Sequence, residues 1–249
     1  MTRLMRLLAA SAIALGILVV HPAIAELSTV IERIKPSIVA VGTYKKTDSP
    51  QFVLRGTGFA IGGGNLIATN AHVLPENLAI DGPILVVRTN GAQLRSATIE
   101  ARDQIHDLAV LRIQGDVLPT LAIANSDLVR EGQSIAFTGF PIGGALGFLP
   151  VTHRGMISSI TPIALPSGNA LNLKANVIKT IKSGPFNIFQ IDGTAYPGNS
   201  GSPVFDTESG EVLGIINMVF IKSSKEAALS TPSGITYAIP ANYLTDILR

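Results

Sequence analysis

From residue 56 to residue 239 the sequence is a succession of short β-forming runs cut by Gly, Pro, Asn and Asp, and this punctuation constrains the fold more than any other feature. GTGFAI, NLIAT, ILVVRT, LRSATIEAR, DLAVLRI, QSIAFTGF, FNIFQID, EVLGIINMVFI and GITYAI are each the length of one strand. Turn residues crowd between them, and Gly62-Gly63-Gly64 reads as a hairpin turn. Helical stretches do not alternate with the strands, so a parallel βαβ array is excluded and an all-β sandwich or barrels remain. Residues 122–132, AIANSDLVREG, read as a crossover, which divides the chain into one β-unit over 26–124 and a second of similar size over 125–249. With 249 residues, 47% of them hydrophobic, the chain is long enough to bury a sizeable core.

Helices are expected only at the two ends. LSTVIERIKPSIVAV opens with a short helix that Ser28 caps and Pro36 stops. At the other end Pro240 suits a first helical turn, and Leu244, Ile247 and Leu248 fall at i, i+3 and i+4, so 240–249 reads as a closing helix packed on the second unit. Thr161–Pro185 and Lys222–Ser233 are longer than connections need to be and read as surface loops that shape a site.

The first 25 residues have a basic start (Arg3, Arg6), an apolar stretch from Leu7 to Val20 and a small-residue ending at Ala23-Ile24-Ala25. This is the layout of a secretory signal peptide, with cleavage near Ala25 and an extracytoplasmic destination, periplasmic or secreted. The apolar stretch is short for a membrane span, so the membrane is a partner only if the segment stays uncleaved. The chain has 19 Lys and Arg against 17 Asp and Glu, and the excess lies in this segment, leaving the remainder neutral. No basic cluster interleaved with aromatics occurs, and nucleic acid is not an expected partner. The sequence has no cysteine, which excludes disulfides, a thiol nucleophile and a thiolate metal site.

Chemistry is concentrated in three places. Ser200 stands in YPGNSGSPVF, where small residues either form a plain turn or free the backbone around a nucleophile. A serine nucleophile requires a base, an acid that orients the base, and backbone donors for the oxyanion. His72, in LIATNAHVLP, follows an apolar strand. Asp107 opens DLAVLRI, whose apolar residues fall on both faces, so its carboxyl is expected near a core; Asp103, in a more polar stretch, competes for the same role. Gly198 and Ser200 can aim two backbone N–H groups at one point, with glycine allowing close approach.

TNAHV, DLAVLRI and GNSGSPVF, in the order His, Asp, Ser and preceded by Gly56-Thr57-Gly58-Phe59, resemble the chymotrypsin-fold serine proteases, above all the bacterial HtrA/Deg branch with its TNxHV, DLAVL and GNSGGP elements. The similarity covers roughly residues 28–249. It implies two perpendicular six-stranded antiparallel β-barrels with the site between them, His72 as general base, Asp107 as orienting acid, Ser200 as nucleophile, and Gly198 and Ser200 as the oxyanion hole. It also implies polypeptide substrates and a homo-oligomer, since HtrA relatives often trimerise. Ser202 replaces the usual HtrA glycine and gives the motif a likeness to glutamyl endopeptidases. Asn199 and the missing IVGG-type start argue against trypsin-like zymogen activation. With the chain stopping at Arg249, no PDZ domain is expected.

The primary pocket, on this resemblance, is walled by residues 192–197 and 214–218, with Thr194, Ala195, Ile216 and Asn217 as lining. Thr194 stands where trypsin-like enzymes carry an acid, Asp192 is expected outside the floor, and no histidine follows as in glutamyl endopeptidases. Small or medium apolar residues of an extended polypeptide are therefore the expected specificity.

Other chemistries fit less well. GNSGS does not match the GxSxG elbow, and the order of the triad is wrong for an α/β-hydrolase. His72, His106 and His153 lack HExxH spacing, and no GK[ST] follows the glycine triplet, so neither metal nor cofactor is expected. His153 reads as a solvated strand-end residue. The rival from another class is a catalytically silent protein that keeps the protease fold and only binds polypeptides or a partner.

Overall fold

The computed structural model describes residues 26–76, 82–89, 92–143, 147–162, 186–217 and 234–248. The segment expected to be a signal peptide, most of the 161–185 loop and the 222–233 loop lie outside them. After α1 (Leu27–Ile34) come β1 (Ile38–Tyr44), β2 (Phe52–Ile61), β3 (Leu66–Asn70), β4 (Ile84–Arg88), β5 (Leu94–Asp103) and β6 (Leu108–Ile113). The second half contains β7 (Ser134–Gly139), β8 (Val151–Pro162), β9 (Asn187–Asp192), β10 (Pro203–Asp206), β11 (Val212–Asn217), β12 (Ile235–Pro240) and α2 (Asn242–Ile247). The strands form two closed barrels, ordered β1-β2-β3-β6-β5-β4 and β10-β11-β12-β9-β8-β7, with every strand pair antiparallel. Closure removes the open edges that an isolated sheet would expose. The barrel expectation holds, six strands to each.

Closure also explains the sequence pattern. Strands such as β1 and β11 are buried on both faces, because one side fills a barrel and the other meets its neighbour, and they read as continuous apolar runs. The largest cluster joins the barrels: Phe59 and Ile38 from the first pack with Phe140, Phe205, Ile215 and Leu244 from the second. Phe59 is fully buried, so its truncation to alanine should cost about 3–5 kcal/mol. The crossover adds two backbone bonds along β11, Ala124 N–H to Val212 O at 2.9 Å and Val212 N–H to Ala122 O at 2.8 Å.

The helical ends depart from expectation in detail. Glu26, not Ser28, occupies the N-cap of α1, and no side chain caps it; the Ser28 hydroxyl, inside the helix, faces the Glu26 carboxylate at 3.4 Å. Pro36 does stop the helix, entering a 3₁₀ turn over Lys35–Ser37. Pro240 ends β12, opposite Gly214, rather than opening the closing helix. That helix starts at Asn242, whose backbone N–H and side-chain Oδ1 exchange 3.0 Å bonds with the Oγ and N–H of Ser126. Leu244 is buried, but Leu248 lies past the last helical residue and is 41% exposed. Among the described residues no helix is long and apolar enough to cross a membrane.

Candidate active site

β3 and β6 are antiparallel neighbours, with Asn70 opposite Leu108, so the residues just after β3 and just before β6 must meet at one end of the first barrel. His72 lies in the 3₁₀ turn Ala71–Val73 and Asp107 immediately before β6. Asp107 Oδ1 accepts the His72 backbone N–H at 2.8 Å and Oδ2 faces His72 Nδ1 at 2.5 Å. The carboxylate thus fixes both the backbone and the ring of the histidine, and with Nδ1 carrying the proton, Nε2 is left to act as a base. Asp107 achieves this from a left-handed backbone, φ +54°, which is costly for a residue with a Cβ and must be held by its surroundings. Its carbonyl takes the Ala71 N–H at 3.0 Å and Asn70 Nδ2 at 3.1 Å.

Ser200 sits in the turn between β9 and β10, brought against the first barrel by Thr57. The Thr57 N–H donates to Ser200 O at 2.8 Å and its Oγ1 to Gly198 O at 2.7 Å. On the other side Gly201 N–H and Ile216 O, and Ile216 N–H and Ser202 O, bind the turn to β11 at 3.0 and 2.9 Å. The N–H groups of Asn199, Gly201 and Ser202 are all engaged, whereas among the described residues those of Gly198 and Ser200 donate to no acceptor. Two free donors bracketing one residue are what an oxyanion site needs. Gly198 is at φ +103°, and a Cβ there would lie 2.1 Å from Phe140 O; at Gly201 it would lie 2.0 Å from Thr57 O. Neither position tolerates a side chain. The Pro197 carbonyl is drawn to the loop after β7 by Ile142 N–H at 2.6 Å. Ser200 is 5% exposed, in the same turn as the two unengaged N–H groups.

Of the expected pocket residues, Ala195 and Ile216 are buried and Thr194 is half-buried. Asp192 is exposed. Asn217 Nδ2 donates to Asp107 Oδ2 at 2.7 Å, a third bond to the carboxylate, from the opposite barrel. Thr236, which carries no motif in the sequence, holds the segment around Ala195 through its Oγ1, accepting Ala195 N–H at 3.0 Å and donating to Gly193 O at 2.6 Å. Thr57, quoted in the sequence only as part of Gly56-Thr57-Gly58-Phe59, gives no sign there of its two bonds to the serine turn, being one more β-branched residue in a strand. Ser202 is fully buried, and its Oγ lies 2.0 Å from where a Cβ on Gly139 would be, so the serine fills space a glycine leaves open.

His153 is not a solvated strand-end residue: it stacks on Phe137 with centroids 4.9 Å apart, its buried Nε2 has no partner among the described residues, and burial pulls its pKa down. His106 faces Asp103, Nδ1 to Oδ2 at 2.5 Å, so the acid that competes with Asp107 in the sequence has a histidine of its own. Among the described residues no group of three or more His, Asp or Glu is placed to hold a metal.

The chain is 30% identical over 195 residues to a probable periplasmic serine endoprotease, DegP-like, of Marinomonas sp. (strain MWYL1), covering 78% of this chain and 36% of that protein. A probable periplasmic serine endoprotease, DegP-like, of Halomonas elongata is 32% identical over 197 residues, covering 77% and 34%. The chain thus spans about a third of the length of these curated relatives. A solved HtrA-type protease with tripeptide has the same fold, with a TM-score of 0.64 and 24% identity over 90% of this chain and 62% of that one. The sequence profile of the trypsin-like peptidase domain matches residues 56–215, the stretch that carries His72, Asp107 and Ser200, and the chain belongs to that family.

Proposed function

We propose that this protein is a serine endopeptidase of HtrA type working through His72, Asp107 and Ser200. The observation that carries the reading is the convergence of three hydrogen bonds on Asp107, two from His72 and one from Asn217, beside a serine turn with two unengaged N–H groups. In this mechanism Ser200 Oγ attacks the carbonyl carbon of the scissile bond as His72 Nε2 takes its proton. The negative charge on the carbonyl oxygen is held by the N–H groups of Gly198 and Ser200. The protonated His72, stabilised by Asp107, then gives its proton to the leaving amine, and water repeats the sequence on the acyl-enzyme.

Substrates are extended polypeptides cleaved after small or medium apolar residues. Ala195 and Ile216 offer an apolar lining, Thr194 brings no charge, and Asp192 is exposed on β9, so a buried Lys, Arg or Glu side chain would lack a counter-charge. The site of action is extracytoplasmic, a reading supported by the composition of residues 1–25 and by relatives named as periplasmic. A homo-oligomer is part of the same reading, by resemblance to HtrA proteins.

Cleavage of an unfolded protein such as reduced casein, compared between the wild-type protein and Ser200→Ala, tests this function. Turnover by the wild type and its loss in the variant are expected. A wild type that binds the polypeptide without cutting it would establish the silent binder instead.

A further inference from the structure

Two histidine–aspartate pairs lie within 36 residues of chain, and they share one short loop. Asp103 ends β5 and Asp107 precedes β6, so everything that sets the direction of Asp107 on its N-terminal side passes through Gln104, Ile105 and His106. Asp103 Oδ1 accepts the N–H groups of Ile105 at 2.8 Å and His106 at 3.1 Å, the pattern by which an aspartate side chain closes its own turn. Its other oxygen holds His106 Nδ1 at 2.5 Å. The His106 ring is in turn stacked on Tyr243 of α2, centroids 4.0 Å apart and planes 15° off parallel, with Phe186 edge-on at 4.7 Å. Arg102, the residue before, donates to Ala71 O at 3.1 Å, behind His72.

This arrangement answers how Asp107 stays in a left-handed conformation. Such a backbone persists only when its neighbours over-determine it. On one side the Asp107 carbonyl is held by Ala71 N–H and Asn70 Nδ2. On the other, the chain reaches Asp107 from a turn whose two N–H groups are tied to Asp103. Burial alone would raise the Asp103 pKa, but the His106 ring and the two N–H bonds outweigh it and hold the carboxyl below its ordinary value, so the acceptor stays charged at neutral pH.

We infer that Asp103 is a positioning residue for the active site: its carboxylate closes the turn that holds Asp107 in its left-handed conformation, and the His106–Tyr243 stack fixes that turn to the closing helix. The inference rests on the endopeptidase reading. The Asp103 carboxylate faces His106 and the turn N–H groups, and among the described residues it bonds to none of His72, Asp107 and Ser200.

The test compares Asp103→Ala with Asp103→Asn. Alanine removes both turn acceptors, whereas asparagine keeps Oδ1 for the two N–H groups. Asp103→Ala is expected to lower kcat by about tenfold or more with KM within about twofold, and to move the acidic limb of the kcat/KM profile, while Asp103→Asn recovers most of kcat. A purely structural role would lower the melting temperature without splitting kcat from KM or moving the limb. Should Asp103→Ala fail to melt cooperatively, Asp103→Ser, with its shorter acceptor, takes its place, and kcat ranking asparagine above serine is expected. A readout independent of turnover is the low-field proton NMR signal of the His72 Nδ1–H bonded to Asp107, assigned by its persistence in a His106→Gln variant. That signal should be lost or displaced in Asp103→Ala and kept in Asp103→Asn. An unaltered His72 signal and unaltered kcat in Asp103→Ala overturn the inference. A wild type that shows the His72 signal and its dependence on Asp103 but cuts no peptide overturns the endopeptidase reading alone.

Discussion

Asn217 is the residue whose removal most sharply separates a working carboxylate from one that is merely present. Asn217→Ala deletes the 2.7 Å bond from Nδ2 to Asp107 Oδ2 and leaves the two bonds from His72 in place. A hydrogen bond to a charged acceptor contributes about 1.5–3 kcal/mol. If about half of that is expressed in orienting His72 and stabilising its protonated form, kcat/KM should fall by about 4- to 12-fold, since about 1.4 kcal/mol is one power of ten. Asn217→Asp has nearly the same shape but replaces the donor with a second carboxylate against Asp107 Oδ2. Repulsion then adds to the lost bond, and the loss should reach about a hundredfold or more at neutral pH. Turnover of an internally quenched peptide with an apolar residue before the scissile bond, measured across pH with each variant, gives both numbers. Circular dichroism establishes that the fold is retained. Asn217→Ala within twofold of wild type, or Asn217→Asp more active than Asn217→Ala, would refute the claim that Asn217 serves Asp107.

Three further outcomes are expected. Ser200→Ala, His72→Ala and Asp107→Asn should each lower kcat by about 10⁴-fold, with Asp103→Asn mild, because the triad acts as a unit; residual activity within tenfold in any of the first three would remove that residue from the triad. Cleavage of a peptide library should concentrate after Val, Ala, Ile and Leu, and dominance of Arg, Lys or Glu would show that a charged side chain reaches the pocket. Stability should decline on acidification through His153: its pKa is below 6.5 in the fold, so the unfolded chain takes up the proton first, and stability present above about pH 6.5 is lost as pH falls toward the folded value. His153→Phe should flatten that part of a melting-temperature profile, and an unchanged slope would contradict the assignment.

Much of this architecture was legible because closed barrels impose local rules. Strand lengths, turn residues and doubly apolar strands such as β11 follow from each residue's own surroundings, and the order His72, Asp107, Ser200 follows from motifs. What was not legible depended on where a side chain goes after the strands close. Asn217 interrupts an otherwise apolar run, VLGIINMVFI, a sign that a polar partner lies close, but its partner comes from the other barrel. Asp103 and Asp107 both precede the strand LAVLRI, and nothing in their spacing tells which histidine each will face. Pro240 suits a strand end as well as a helix start, and pairing with Gly214 decides it. The surroundings of His153 do not follow from PVTHRG alone, because pairing across β7 and β8 places it opposite Phe137 and stacks it there.

The central claim is that Ser200 is a nucleophile activated by His72 beside a ready oxyanion site. Such a serine attacks the phosphorus of a fluorophosphonate probe and displaces fluoride, and mass spectrometry of the labelled, digested protein locates the adduct. One adduct, on the peptide containing Ser200, abolished in Ser200→Ala and slowed by orders of magnitude in His72→Ala, is the predicted result. No labelling of the folded protein, or labelling elsewhere that persists in Ser200→Ala, would contradict it.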